Sequence, residues 1–167
     1  MARSYLPLVA CLLCATRINF AAETLVRTAV ELERAAAAAQ QGDVVRMTAG
    51  EWQDVDLVFE ARGTEGAPIT LAAERPGETI VTGDSRLRIA GEHLVVHGLQ
   101  FRQAYHPDAV LEFRRDSKRL ASHCRVTECV FSDCNPPAAS REDSKYVSIY
   151  GRENRFDHCV LSGKMSR

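Results

Sequence analysis

Apolar and polar positions recur along this chain at a fixed interval. Val95-Val96-His97-Gly98-Leu99-Gln100-Phe101, Arg125-Val126-Thr127-Glu128-Cys129-Val130-Phe131 and Arg155-Phe156-Asp157-His158-Cys159-Val160-Leu161 align without gaps, each copy 30 residues after the last. Three columns stay apolar or small: Val96/Val126/Phe156, Leu99/Cys129/Cys159 and Phe101/Phe131/Leu161. Such a period marks a solenoid, whose units cannot bury their apolar faces alone and must stack. The units are rich in β-branched and aromatic residues and too short for helices, so they read as strands. In the third copy Phe156, Cys159 and Leu161 are expected to face the core, while Asp157 and His158 point to opposite faces.

The same alternation predicts strands over Val44–Thr48, Val55–Phe59, Ile69–Ala73, Thr79–Thr82, Leu87–Ile89, Leu94–Val96, Leu99–Phe101, Val110–Phe113, Arg125–Phe131 and Val147–Tyr150. Gly and Pro punctuate nearly every corner, including a turn at Ala49-Gly50. Short strands joined by tight corners suit a β-helix better than a sandwich. Thr28-Ala29-Val30-Glu31 is a capping box and opens a predicted helix from Ala29 to Gln41 that stops at Gly42. One helix there would cover the first rung, whose apolar end would otherwise be open. Two excursions exceed corner length: Gln103 to Asp108, and Ser132 to Lys145 with its polar run Ser140-Arg141-Glu142-Asp143. The second is read as a solvated loop.

Length and composition add bounds. The 167 residues hold one domain or a piece of a larger one, and a net charge of −1 gives no basic excess for nucleic acid. Residues 1–22 read as a secretory signal, with Arg3, an apolar run from Leu6 to Ala15 and the small exit Phe20-Ala21-Ala22. That run is too short to span a membrane. Residues 23–167 are then the exported domain, periplasmic or extracellular. Cys124, Cys129, Cys134 and Cys159 match no zinc spacing. Stacked at strand separation, Cys129 and Cys159 could form a disulfide on distance alone, but the preferred reading is two small buried apolar residues.

Several motifs resemble polysaccharide lyase family 6, the alginate lyase and chondroitinase B family. They are Gly63-Thr64-Glu65-Gly66-Ala67-Pro68-Ile69-Thr70-Leu71, Leu87 through Leu99, Cys124-Arg125-Val126-Thr127-Glu128-Cys129, and Asn135-Pro136-Pro137 followed by Lys145 through Gly151. Asn154-Arg155-Phe156-Asp157-His158-Cys159 and Ser162-Gly163-Lys164 complete a match running from Leu25 to Lys164. The resemblance implies an all-β fold, a right-handed parallel β-helix with an N-terminal capping α-helix. It also implies cleavage of uronate polysaccharides by calcium-assisted β-elimination, with Asn and Glu ligands, a Lys base and an Arg acid on later rungs. Where the family pattern continues with threonine and asparagine, this chain reads Met165-Ser166-Arg167, so the resemblance carries no catalytic residue and no metal ligand onto it. A β-helix truncated at its C-terminal end is expected, inactive alone, binding no calcium itself and prone to self-association through its open end.

The remaining candidate chemistry concerns binding. Lys145, Arg155 and Lys164 lie on or beside the last rungs and suit the carboxylates of an acidic polysaccharide, alginate or a glycosaminoglycan, with Tyr150 as a sugar platform. His97, His106, His123 and His158 are scattered and read as structural or surface groups. Asp54 with Asp56, and Glu142 with Asp143, supply too few oxygens for calcium and read as corner or outward charge. The alternatives are a non-catalytic β-helix remnant that binds acidic glycan and, more remotely, a pectate lyase relative.

Overall fold

In the computed structural model, which describes residues 21–138 and 144–165, the chain winds as a right-handed parallel β-helix. β1 (Glu23–Val26) and α1 (Ala29–Ala38) precede the first coil, which is β2 (Val44–Met47), β3 (Gly50–Gln53) and β4 (Asp56–Arg62). The second coil is β5 (Ile69–Ala73), β6 (Thr79–Asp84) and β7 (Arg86–Glu92). The third is β8 (Leu94–His97), β9 (Gln100–Tyr105), β10 (Leu111–Glu112) and β11 (Ala121–Ser122). The fourth is β12 (Arg125–Thr127), β13 (Val130–Ser132) and β14 (Val147–Ser148), and the fifth opens with β15 (Arg155–Asp157) and β16 (Val160–Ser162). Three sheets result. The first runs β1-β2-β5-β8-β12-β15, the second β3-β6-β9-β13-β16, and the third has β4 on one side of β7, with β10 and β11 on the other and β14 beyond β10.

The register is the one the 30-residue period requires. Val96 pairs with Val126 and Val126 with Phe156, while Phe101 pairs with Phe131 and Phe131 with Leu161. Each column extends below the visible repeat, through Val45 and Leu71 in the first sheet and Trp52 and Val81 in the second. The third sheet contributes Leu57, Leu87 and Leu111, all fully buried. Burying such a side chain is worth about 1.5–3 kcal/mol, and the columns meet in one continuous core. Phe101 and Phe131 stack at 4.6 Å with their planes 5° apart. At the last described coil the columns open: Phe156 and Cys159 are half-buried and Leu161, in core register, is 51% exposed.

Several boundaries differ from those predicted. The segment 125–131 is two strands because Glu128 adopts φ 54°, turning the corner between the first and second sheets. Gly98 and His158 occupy the same station with φ 74° and 50°. His158 is therefore a corner residue, and its Nδ1 lies 3.3 Å from Asp157 Oδ1 rather than on the opposite face. Gly50 begins β3 instead of a turn, because Trp52 must reach the core, where it is 5% exposed. β1 and β11 escaped sequence reading, β1 because its apolar residues do not alternate and β11 because it is two residues long.

α1 covers the N-terminal end of the coil, burying Leu32 and Ala36. Thr28 Oγ1 accepts the Glu31 amide at 3.1 Å, and Glu31 reaches back to the amide of Arg27 at 2.7 Å. The helix stops at Ala38, not Gln41, because the carboxylate of Asp43 takes the Gln40 amide at 2.7 Å and turns the chain into β2. The signal segment, up to residue 20, and the polar run Ser140–Asp143 lie outside the described residues.

Candidate functional site

The second excursion crosses from the second to the third sheet and is pinned at its return. Asn135 donates from Nδ2 to the Gly163 carbonyl at 2.7 Å and accepts the Met165 amide at 2.9 Å. Tyr146 is buried against Phe131, accepts the Cys134 amide through its hydroxyl at 3.2 Å and donates to the Ser162 carbonyl at 2.9 Å. Burial pushes the Tyr146 hydroxyl above the ordinary tyrosine pKa, so it stays a donor. Lys164 follows the corner at Gly163 and donates from Nζ to the carbonyl and hydroxyl of Ser144, at 2.6 and 2.9 Å. Its ammonium stands 5.7 Å from the Tyr146 ring centroid.

These contacts shape an open hollow of about 400 Å³ between the excursion and the last coil. Lys145 and Lys164 line it with Tyr146 and Leu161, and no acidic side chain is among its described lining residues. Lys145 is exposed, and its backbone carbonyl accepts the Val110 amide at 3.0 Å. Lys145 and Lys164 give this hollow a local cationic character on a chain of net charge −1. Such a patch attracts a carboxylate.

The other two candidates lie elsewhere. Arg155 projects from β15 into a groove of about 620 Å³ on the first sheet, where the rings of His93 and His123 stack at 4.9 Å. Here the charges cancel. Arg125 and Arg155 both bind Asp157, the first at 3.0 Å, and His123 pairs with Glu153 at 2.9 Å while Glu65 sits on the rim. The Asp157 carboxyl is pushed up by burial, but its bonds from Arg125, Thr127 and His158 outweigh that and hold it well below the carboxylate range. Tyr150 is occupied on the third sheet, where the Arg114 guanidinium lies 3.8 Å over its ring and the buried Glu112 anchors that arginine at 2.9 Å. The structure thus brings Lys145 and Lys164 together and leaves Arg155 and Tyr150 apart. Ser144 and Tyr146 were missed in the sequence, where the return path of a 14-residue excursion leaves no periodic signal.

With this coil geometry and these motifs in place, the comparisons decide the family. Residues 26–167 match the family model described as Chondroitinase B. The chain belongs to that family. Among solved structures it superposes on the PL6 family alginate lyase AlyGC with 45% identity and a TM-score of 0.81 over 86% of its own length. A mannuronic acid specific polysaccharide family 6 lyase from human gut microbiota gives 29% identity and a TM-score of 0.76 over 85% of the chain. The PL6 family polysaccharide lyase Pedsa3628 from Pseudopedobacter saltans gives 30% and 0.73 over 83%. The chain spans 20% of the first of these relatives and 34% and 31% of the other two. No curated protein matches.

The calcium that the family resemblance implies has no fitting donor set among the described residues, where no three His, Cys, Asp or Glu side chains converge on one point. Asp56, the strongest acidic candidate, is taken by Arg86 and Arg88 at 3.0 and 2.9 Å, and Asp54 accepts the Asp84 amide at 2.8 Å. Both behave as structural charge.

Proposed function

We propose that this chain is the N-terminal scaffold of an exported polysaccharide lyase, and that its Lys145–Lys164 hollow takes a uronate carboxylate of an acidic polysaccharide. Family membership supports the lyase class, and the solved relatives support alginate as the first substrate to try. The hollow that brings Lys145 and Lys164 together beside Tyr146 is the observation that carries the binding role. Elimination from a uronate needs its carboxylate neutralised, a base for the C5 proton and an acid for the departing O4 oxygen. The two lysines address only the first of these needs.

Titration calorimetry with alginate oligosaccharides tests this. Lys145→Ala should weaken binding several-fold while leaving the fold intact, because the Lys145 side chain is exposed, and raised salt should weaken the native chain likewise. Equal affinity of the native chain and Lys145→Ala would remove the hollow from the argument. Ultraviolet absorbance of unsaturated uronate products, with calcium present, should stay flat for the 167-residue chain.

A further inference from the structure

We propose that Cys129 and Cys159 form a reversible dithiol, which a small-molecule disulfide oxidises to a staple between the fourth and fifth coils. The register carries this. Thr127 pairs with Asp157 and Val130 with Val160, so Cys129 and Cys159 occupy one station of adjacent coils. The Val160 amide donates to the Cys129 carbonyl at 3.0 Å, closing the ladder beside them. Strands so paired stand about 4.8 Å apart, inside the range a disulfide spans between Cα atoms. Both residues lie at a corner, just past the left-handed residues Glu128 and His158. Cys159 Sγ turns down toward the fourth coil, 3.8 Å from the Val126 carbonyl.

Neither other described cysteine has such a partner. Cys124 stacks between Leu94 and Asn154, whose side chain accepts the Cys124 amide at 2.9 Å. Cys134 sits at the station of Ala104 and Lys164, with its thiol 3.6 Å from the Phe101 carbonyl. Burial pushes both of these thiols up to about 11, where they are inert at neutral pH. Cys159 differs: it is half-buried, and the neighbouring Cys129 thiol draws its pKa below the ordinary thiol value. Cys129 is sealed. Exposure therefore orders the chemistry.

The Cys159 thiolate attacks one sulfur of R–S–S–R, forming a Cys159–S–S–R bond and expelling RS⁻. That thiolate takes the proton of Cys129, whose sulfur then attacks the Cys159 sulfur and expels the second RS⁻. Two protein thiols lose two electrons and two protons, and one small disulfide becomes two thiols. Excess thiol reverses the sequence.

Intact mass spectrometry of the reduced, folded chain, carrying Cys11→Ser and Cys14→Ser in every sample, reads the outcome of treatment with oxidised glutathione. The native chain and a Cys124→Ser/Cys134→Ser variant should each lose the mass of two hydrogen atoms, and proteolytic mapping should join the segments holding 129 and 159. Cys129→Ser should instead gain one glutathione on Cys159, and Cys159→Ser should do neither. Oxidation should raise the denaturant midpoint of the native chain and leave that of Cys159→Ser unmoved. Linkage through any other cysteine, or retention of both thiols in the native chain under excess oxidised glutathione, overturns the proposal.

Discussion

Gly91 and Gly151 show how closely a β-helix constrains single residues. Both adopt left-handed conformations, φ 110° and 82°, and a Cβ on either would overlap a carbonyl oxygen of the coil below, that of Ala61 or Ala121. Gly91→Ala combines strain with a clash against backbone and should cost about 3 kcal/mol, seen as a lower urea midpoint. Asp56 makes a second residue-level case. Burial raises its pKa, but hydrogen bonds and charge from Arg86 and Arg88 outweigh that and hold it below the ordinary carboxylate value. A group with a lowered folded pKa stabilises above its unfolded pKa of about 3.9 and loses that contribution as pH falls through the folded value. Asp56→Asn should therefore be less stable than the native chain at pH 7, with the difference shrinking toward zero on acidification below about pH 4. A constant difference across that window would contradict the ion-pair account.

Among the elements, the aromatic column of the second sheet bears most on stability. Phe131 is fully buried between Phe101 and the last coil and also touches Tyr146, so it links scaffold to excursion. Phe131→Ala should cost about 3–5 kcal/mol by denaturant titration and weaken glycan binding by loosening the floor of the lysine hollow. Coil stacking was legible because stations repeat in sequence and a repeated apolar residue in a strand can be buried only against its own copy. Helix α1 was legible at its start, where Thr28 and Glu31 state the cap in side chains, and illegible at its end. The residues from Ala35 to Gln41 are all adequate helix formers. What stops the helix is the Asp43 carboxylate, which accepts from the amides of Gln40 and Ala22, and Ala22 lies 21 residues from Asp43 in sequence.

At the scale of the whole molecule, apolar surface gathers on the fifth coil. Val160 and Leu161 are 56% and 51% exposed, while Phe131, Phe101, Val81 and Trp52, stacked in the column of Leu161, are at most 5% exposed. Free strand edges accompany them, and an uncovered edge recruits another. Sedimentation of the 167-residue chain should show concentration-dependent association, reduced by Leu161→Lys. A monomer at all concentrations would show that the last coil is covered or self-limiting.

The sequence by itself determined the β-helix, its 30-residue register, the capping helix and the family, because each rests on residues that repeat or adjoin along the chain. It also marked Lys145 and Lys164, but as two of four equal candidates. Tertiary structure decided among them. Which candidates meet depends on which side chains the coils bring together: Arg155 meets Asp157, the Tyr150 ring lies under Arg114, and Lys145 and Lys164 line one hollow. It likewise separated Cys129 and Cys159 from the other described thiols, since pairing and exposure are properties of stacked coils.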